Sequence, residues 1–184
     1  PSGAKDKSIE KRMSRFVKHD KVDVDLTYMP FAQHILTALA AEPLILAMDG
    51  SQVGRGCMVL MVGVVYRSRL LPIAWVVYKG KKGHITAERH IEALKKVFPL
   101  VPEKSEVILL GDAEYDTTDM LSWVQTETSW AFVMHTSPSI LMQSGDTWKK
   151  IGNFKVRQGR LRMIPALGFT KVSALPANLI VWWG

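Results

Sequence analysis

The sequence has one cysteine, Cys57, which excludes a disulfide framework and a four-thiolate zinc site. No apolar run reaches the roughly 18–20 residues that cross a bilayer. Pro1 to Lys21 is too polar for an export signal, so no membrane partner is expected. The five histidines, His19, His34, His84, His90 and His135, show no H-x-x-x-H spacing, which argues against zinc. The glycine fingerprint of dinucleotide binding, the phosphate-loop lysine and the G-x-S-x-G elbow of a serine nucleophile are all missing. Acidic residues nearly vanish from one region: 136–184 holds seven basic residues and only Asp146.

What is present describes a globular chain. Its 184 residues are 47% apolar and 22% charged, enough for one domain, or one with part of a second. The net charge of +7 divides unevenly: +4 over 1–21, −3 over 22–135 and +6 over 136–184. A mildly acidic centre between basic ends favours a polyanionic partner. In the last third, Lys149, Lys150, Lys155, Arg157, Arg160 and Arg162 interleave with Trp148, Phe154 and Phe169. That mixture suits phosphate contacts and stacking on unpaired bases. It also suits a solvated β-hairpin whose aromatics belong to a core.

Periodicity gives the element order. Ser8 to Val17 is loosely amphipathic, with Lys11, Arg12, Arg15 and Lys18 opposite Ile9, Met13 and Phe16. Phe31, Ile35, Leu36 and Leu39 share one face of a second helix that Pro30 opens and Pro43 ends. Leu44 to Met48, Cys57 to Tyr66 and Leu70 to Tyr78 are apolar strands joined by short polar turns, hence an antiparallel meander. His84 to Phe98 is a helix with Ala87, Ile91, Leu94 and Phe98 on one face. A fourth strand follows at Glu106 to Leu110, reached by a crossover long enough to make it parallel to an earlier one. Thr117 to Asp119 offers caps for a helix through Met120, Leu121 and Val124, and Trp130 to Met134 is a fifth strand. From Thr136 onward, strand-like pieces at Trp148 to Val156, Leu161 to Ile164 and Leu179 to Trp183 alternate with turn residues. The reading is an α/β chain in three parts: a basic helical segment and linker over 1–43, a mixed-sheet core over 44–135 and a β-rich basic stretch over 136–184.

Two carboxylates stand at strand ends. Asp49 follows the first strand and Asp112 the fourth. If those strands are adjacent and parallel, both carboxylates emerge at one sheet edge, where open sheets bind ligands. Two hard oxygen donors there suit Mg²⁺ or Mn²⁺, and a metal pair can activate a nucleophile and stabilise a leaving oxygen in phosphodiester chemistry. Either Asp alone also reads as a turn residue or a helix cap. Cys57 reads as a buried thiol within its strand.

Met48-Asp49-Gly50-Ser51 after one apolar strand and Gly111-Asp112-Ala113-Glu114-Tyr115-Asp116 after another resemble the DDE transposases of bacterial insertion sequences, of the insertion-sequence-4 type. Arg12-Met13-Ser14-Arg15-Phe16 and Val22-Asp23 resemble the lead-in to that core. The resemblance covers nearly the whole chain. It implies a ribonuclease H-like mixed five-stranded sheet with flanking helices, followed by part of a β-rich insertion that contacts DNA. It implies Asp49 and Asp112 as catalytic metal ligands, Mg²⁺ (or Mn²⁺) as cofactor, and double-stranded DNA, both transposon ends and target, as partner. It further implies a homodimer when intact and a cytoplasmic, nucleoid-associated place in a bacterium. The family's third carboxylate, a Glu within a Tyr-x-x-Arg-x-x-x-Glu-x-x-x-x-x-x-Lys pattern, has no counterpart here. With Pro1 at the start and Trp182-Trp183-Gly184 at the end, the expectation is a fragment cut before that Glu. Glu114 and Asp116 are too near Asp112 in sequence to replace it and read as turn groups or as groups that support the metal ligands from behind. The alternative is a non-catalytic remnant that only binds DNA or a partner subunit. A haloacid-dehalogenase-like phosphatase is set aside, because its nucleophilic Asp position holds Ala47.

Overall fold

A computed structural model gives the fold and describes residues 6–19, 23–80, 83 and 85–183. Lys81, Lys82 and His84 of the basic glycine-bounded loop, and Val22 of the lead-in, lie outside the described residues. Three helices, α1 (Asp6–Val17), α2 (Val24–Thr27) and α3 (Met29–Leu39), precede the sheet. The meander is β1 (Leu44–Gly54), β2 (Cys57–Tyr66) and β3 (Arg69–Lys79). Then come α4 (Ala87–Val97), a 3-10 turn at Phe98–Leu100, β4 (Val107–Gly111), α5 (Thr118–Glu127) and β5 (Ala131–Met134). The strand order is β3-β2-β1-β4-β5, antiparallel among the first three and parallel from β1 through β4 to β5. The chain is thus α/β with a mixed five-stranded sheet and flanking helices.

A second, antiparallel sheet of order β7-β6-β8-β9 follows, from β6 (Leu141–Ser144), β7 (Thr147–Lys150), β8 (Arg160–Phe169) and β9 (Leu175–Trp183). β6 lies in a stretch where sequence periodicity gives no strand. The expected strand over Trp148 to Val156 stops at Lys150, and the chain turns through a 3-10 helix at Ile151–Asn153. The first sheet contributes Leu46, Leu60 and Leu109 to a core shared with Leu94 and Val97 of α4 and Met120 and Val124 of α5. Met142, Phe169 and Leu175 of the second sheet join the same core.

In both helices most of the expected face is inward, and one aromatic at its edge is not: Ile35, Leu36 and Leu39 of α3 and Ile91 and Leu94 of α4 lie in or on the core. In α4 the buried residues are His90, Ala93, Leu94 and Val97, while Phe98 is 44% exposed. In α3 they are Ala32 and Leu36, and Phe31 is exposed. The α4 set keeps the i, i+3, i+4 spacing with its face rotated toward His90, Ala93 and Val97, whereas in α3 Ala32 replaces Phe31 at the edge of the expected face. Ile9, Met13 and Phe16 of α1 are exposed. Cys57, expected to be buried, opens β2 and is only half-buried.

Gly63 sits where β2 and β3 shift register, between Val62 and Gly63. A Cβ there would lie 2.7 Å from the Leu71 carbonyl oxygen and 2.6 Å from Leu70 Cγ. The backbone of β3 cannot retreat without breaking the ladder. Gly63→Ala is expected to lower stability by about 1–3 kcal/mol through overpacking, read as a lower urea midpoint at unchanged slope.

Candidate functional site

β1 does not end at Met48. Antiparallel pairing with β2 carries it to Gly54, so Asp49 lies inside the strand, opposite Met61. Its parallel pairing with β4 is shorter and ends at Ala47↔Leu110. Two residues on from each member of that pair stand Asp49 and Asp112. Side chains alternate along strands, so Asp49 shares a face with Ile45 and Ala47, while Asp112 stands at the first position of the turn after β4. Leu44, Leu46, Met48, Val107 and Leu109 point the other way into the core, and both carboxylates are exposed. Parallel pairing of β1 with β4 brings the two expected ligands to the same end of these adjacent strands.

Tyr115 ties the two together electrostatically. Its ring is buried beneath the edge and meets the His90 ring edge-on, with centroids 5.1 Å apart. Burial pushes its hydroxyl well above the ordinary tyrosine range, and the negative charges of Glu114, Asp112 and Asp49 push it further. Gly50 makes room for it, because a Cβ at that position would be 3.0 Å from the Tyr115 hydroxyl and 3.1 Å from Ile85 Cδ1. In the sequence Tyr115 and Gly50 stand only as members of the two motifs, with no role of their own assigned.

The turn after β4 is held by its own acids. Asp112 Oδ1 accepts the Glu114 amide hydrogen at 2.8 Å, and the Asp112 carbonyl accepts that of Tyr115 at 3.0 Å. Glu114 Oε1 accepts the Gly83 amide hydrogen at 2.8 Å, clipping the β3–α4 loop to this turn. Asp116 Oδ2 accepts the Thr136 hydroxyl at 2.5 Å, joining the turn to the chain leaving β5. Desolvation raises the Asp116 carboxyl above its usual range, against the pull of that bond. Glu114 and Asp116 are therefore structural turn acids, as the sequence reads. Thr117 occupies the expected cap position of α5 but makes no side-chain cap bond.

Two acidic ligands suffice for one pole of a Mg²⁺ ion, which keeps waters and takes further oxygens from phosphates. Among the described residues no group of three His, Cys, Asp or Glu is placed to hold a metal. The donor chemistry of Asp49 and Asp112 fits Mg²⁺ or Mn²⁺ as a two-carboxylate half of such a site.

The basic cluster divides. Lys149 and Lys150 stand on β7, at one side of the second sheet. Lys155, Arg157, Arg160 and Arg162 gather at the start of β8, where Arg162 Nη1 approaches the Lys155 carbonyl at 3.5 Å and the Arg160 amide donates to the Arg157 carbonyl at 3.0 Å. All six are exposed, and among the described residues none forms an ion pair. Trp148 is half-buried, Phe154 packs on the core and Phe169 is buried within it, so Phe169 does not stack on bases. Among the described residues no helix is long and apolar enough to cross a membrane. No protein-family model and no curated protein matches this chain.

Proposed function

We propose that this chain carries the two-aspartate part of a DNA transposase of the DDE class, on a ribonuclease H-like sheet. The observation that carries the reading is the placement of Asp49, within β1, and Asp112, directly after the adjacent parallel strand β4, two residues beyond the paired Ala47 and Leu110, with both side chains exposed. The β3-β2-β1-β4-β5 order supports it, since three antiparallel strands followed by two parallel ones is the arrangement the resemblance implies. Cations on the second sheet, without acidic partners among the described residues, support a polyanionic partner, double-stranded DNA at transposon ends and target.

In this reading Asp49 and Asp112 hold Mg²⁺ (or Mn²⁺) at the sheet edge. When bound, the ion supplies Lewis-acid activation of the attacking and leaving oxygens in phosphodiester cleavage and strand transfer. The two aspartates orient it, and the Asp112 turn, bonded through Glu114 and Asp116, fixes the approach of the second ligand. The lysines and arginines draw the DNA backbone toward that edge. Homodimerisation and a cytoplasmic, nucleoid-associated location in a bacterium belong to the same proposal. A second reading, a remnant that binds DNA without cutting it, draws on the same cations and on the absence, among the described residues, of three acids grouped to hold a metal.

The test is a form of the protein that also carries the third carboxylate, incubated with labelled duplex DNA. Strand cleavage in Mg²⁺ that stops on adding EDTA is expected. Cleavage that continues in EDTA overturns the metal assignment. Salt-sensitive binding with no cleavage of any duplex favours the remnant.

A further inference from the structure

Each of the two aspartates has a glycine beside it in the chain: Gly50 follows Asp49, and Gly111 precedes Asp112. Neither glycine has a positive φ, so backbone conformation does not call for either of them. What both provide is room, and for the same side chain. A Cβ on Gly50 would stand 3.0 Å from the Tyr115 hydroxyl oxygen. A Cβ on Gly111 would stand 3.0 Å from Tyr115 Cβ and 2.6 Å from Met134 Sδ. Tyr115 therefore reaches from the end of β4, where its root is pressed, across to β1, where its hydroxyl lies.

The sheet ladder does not span that gap. Pairing of β1 with β4 stops at Ala47↔Leu110, before either aspartate. The side-chain bonds of the Asp112 turn run elsewhere, from Glu114 to Gly83 on the β3–α4 loop and from Asp116 to Thr136 beyond β5. Among the described residues no hydrogen bond joins 49–51 to 112–116. On its other side β1 is fixed by the Asp49↔Met61 and Gly50↔Leu60 pairs with β2, so it cannot retreat. The Tyr115 ring cannot swing aside either, being buried and backed by the His90 ring. Its amide hydrogen goes to the Asp112 carbonyl at 3.0 Å, so a displaced Tyr115 takes the Asp112 turn with it.

We propose that Tyr115 is a positioning residue: its buried side chain is the spacer that sets how far Asp112 stands from Asp49, and so whether one divalent cation is held by both. This rests on the metal part of the proposed function and adds the element that shapes the site. Mg²⁺ holds its oxygens at about 2.0–2.1 Å in a nearly fixed geometry, so moving one carboxylate by a few tenths of an ångström is felt.

The experiment titrates Mn²⁺ alone into the ¹⁵N-labelled 184-residue chain and reads paramagnetic broadening of amide signals. In the wild type, the signals of Asp49–Ser51 and Asp112–Glu114 are expected to broaden together, with one midpoint. Gly50→Ala crowds the spacer. It should raise the midpoint about tenfold, the scale on which groups behind metal ligands tune affinity, or split it between the two segments. Tyr115→Phe keeps the ring and should stay within about threefold of the wild type. Combined with Gly50→Ala, it removes the oxygen that the new Cβ meets and should bring the midpoint back within about threefold; Ile85 Cδ1, 3.1 Å from that Cβ, is a side-chain tip that can turn away. A role in folding alone would lower the melting temperature without moving the Mn²⁺ midpoint. Gly50→Ala with a wild-type midpoint, or without rescue by Tyr115→Phe, overturns the proposal while the metal reading stands. So does a wild type in which the two segments broaden at different Mn²⁺ concentrations. If Gly50→Ala does not fold, Tyr115→Leu shortens the spacer instead of crowding it, and a wild-type midpoint there overturns the proposal equally. Broadening at neither segment of the wild type brings down the two-aspartate metal reading itself, and the spacer with it.

Discussion

Asp49→Asn or Asp112→Asn, in a form of the protein that also carries the third carboxylate, is expected to lower Mg²⁺-dependent cleavage of duplex DNA about a thousandfold. That is the scale on which one preorganised charge-stabilising group acts. Asparagine keeps the shape and removes the negative charge that holds a divalent cation. Both side chains are exposed and outside the core, so each variant should melt within about 0.5 kcal/mol of the wild type. DNA binding should survive, because removing an anion near phosphates does not weaken their attraction to the protein's cations. Loss of turnover at unchanged DNA affinity separates a ligand role from a structural one. Glu114→Gln is the contrast: the amide oxygen can still accept the Gly83 hydrogen bond, so less than a tenfold loss is expected. Full activity in either aspartate variant would sink the assignment, as would equal loss in Glu114→Gln, since any acid near the turn would then serve.

The aspartates were legible because each follows an apolar run, and because short turns and a helical crossover determine which strands lie antiparallel and which parallel. Their register was not. Whether Asp49 meets Asp112 depends on Leu44↔Val107 through Ala47↔Leu110 pairing, which is a long-range choice made by the core. Continuation of β1 past Asp49 was hidden as well, since Ser51, Gln52 and Val53 are exposed and held in the strand by hydrogen bonding to β2 rather than by burial. The second sheet was only half legible. β8 and β9 carry enough apolar residues to be seen, but Leu141–Ser144 is four residues long and borrows its strand state from β7 and β8. The phase of α4 was misread for a chemical reason. The helix turns His90 inward, and a histidine is a poor marker of an apolar face.

Acidification from pH 6.5 to pH 4 is expected to destabilise the fold by up to roughly 3 kcal/mol through His90 alone. The imidazole is fully buried in α4 against Tyr115, and neither ring nitrogen has a hydrogen-bond partner among the described residues. Burial lowers its pKa from 6.5 to about 4, against a smaller upward pull from the Glu88 carboxylate. Well above pH 6.5 the histidine is neutral in both states and contributes no pH dependence. Between 6.5 and 4 the unfolded chain takes up a proton that the folded chain refuses, so stability falls as pH falls. Below 4 both states are protonated and this contribution levels off. Asp116 acts in the opposite sense: its raised pKa adds stability at low pH that is lost as pH rises through the folded value. Comparing urea midpoints of the wild type and His90→Leu across pH 4 to 8 cancels Asp116 and every other shared group. The leucine variant should match or exceed the wild type at pH 7, because it buries no unpartnered nitrogen. The gap should widen in its favour by about 1.4 kcal/mol per pH unit at most within the window. A constant gap across that range would mean that His90 protonates in the fold as easily as in the unfolded chain, and so is not sealed beneath the aspartate edge.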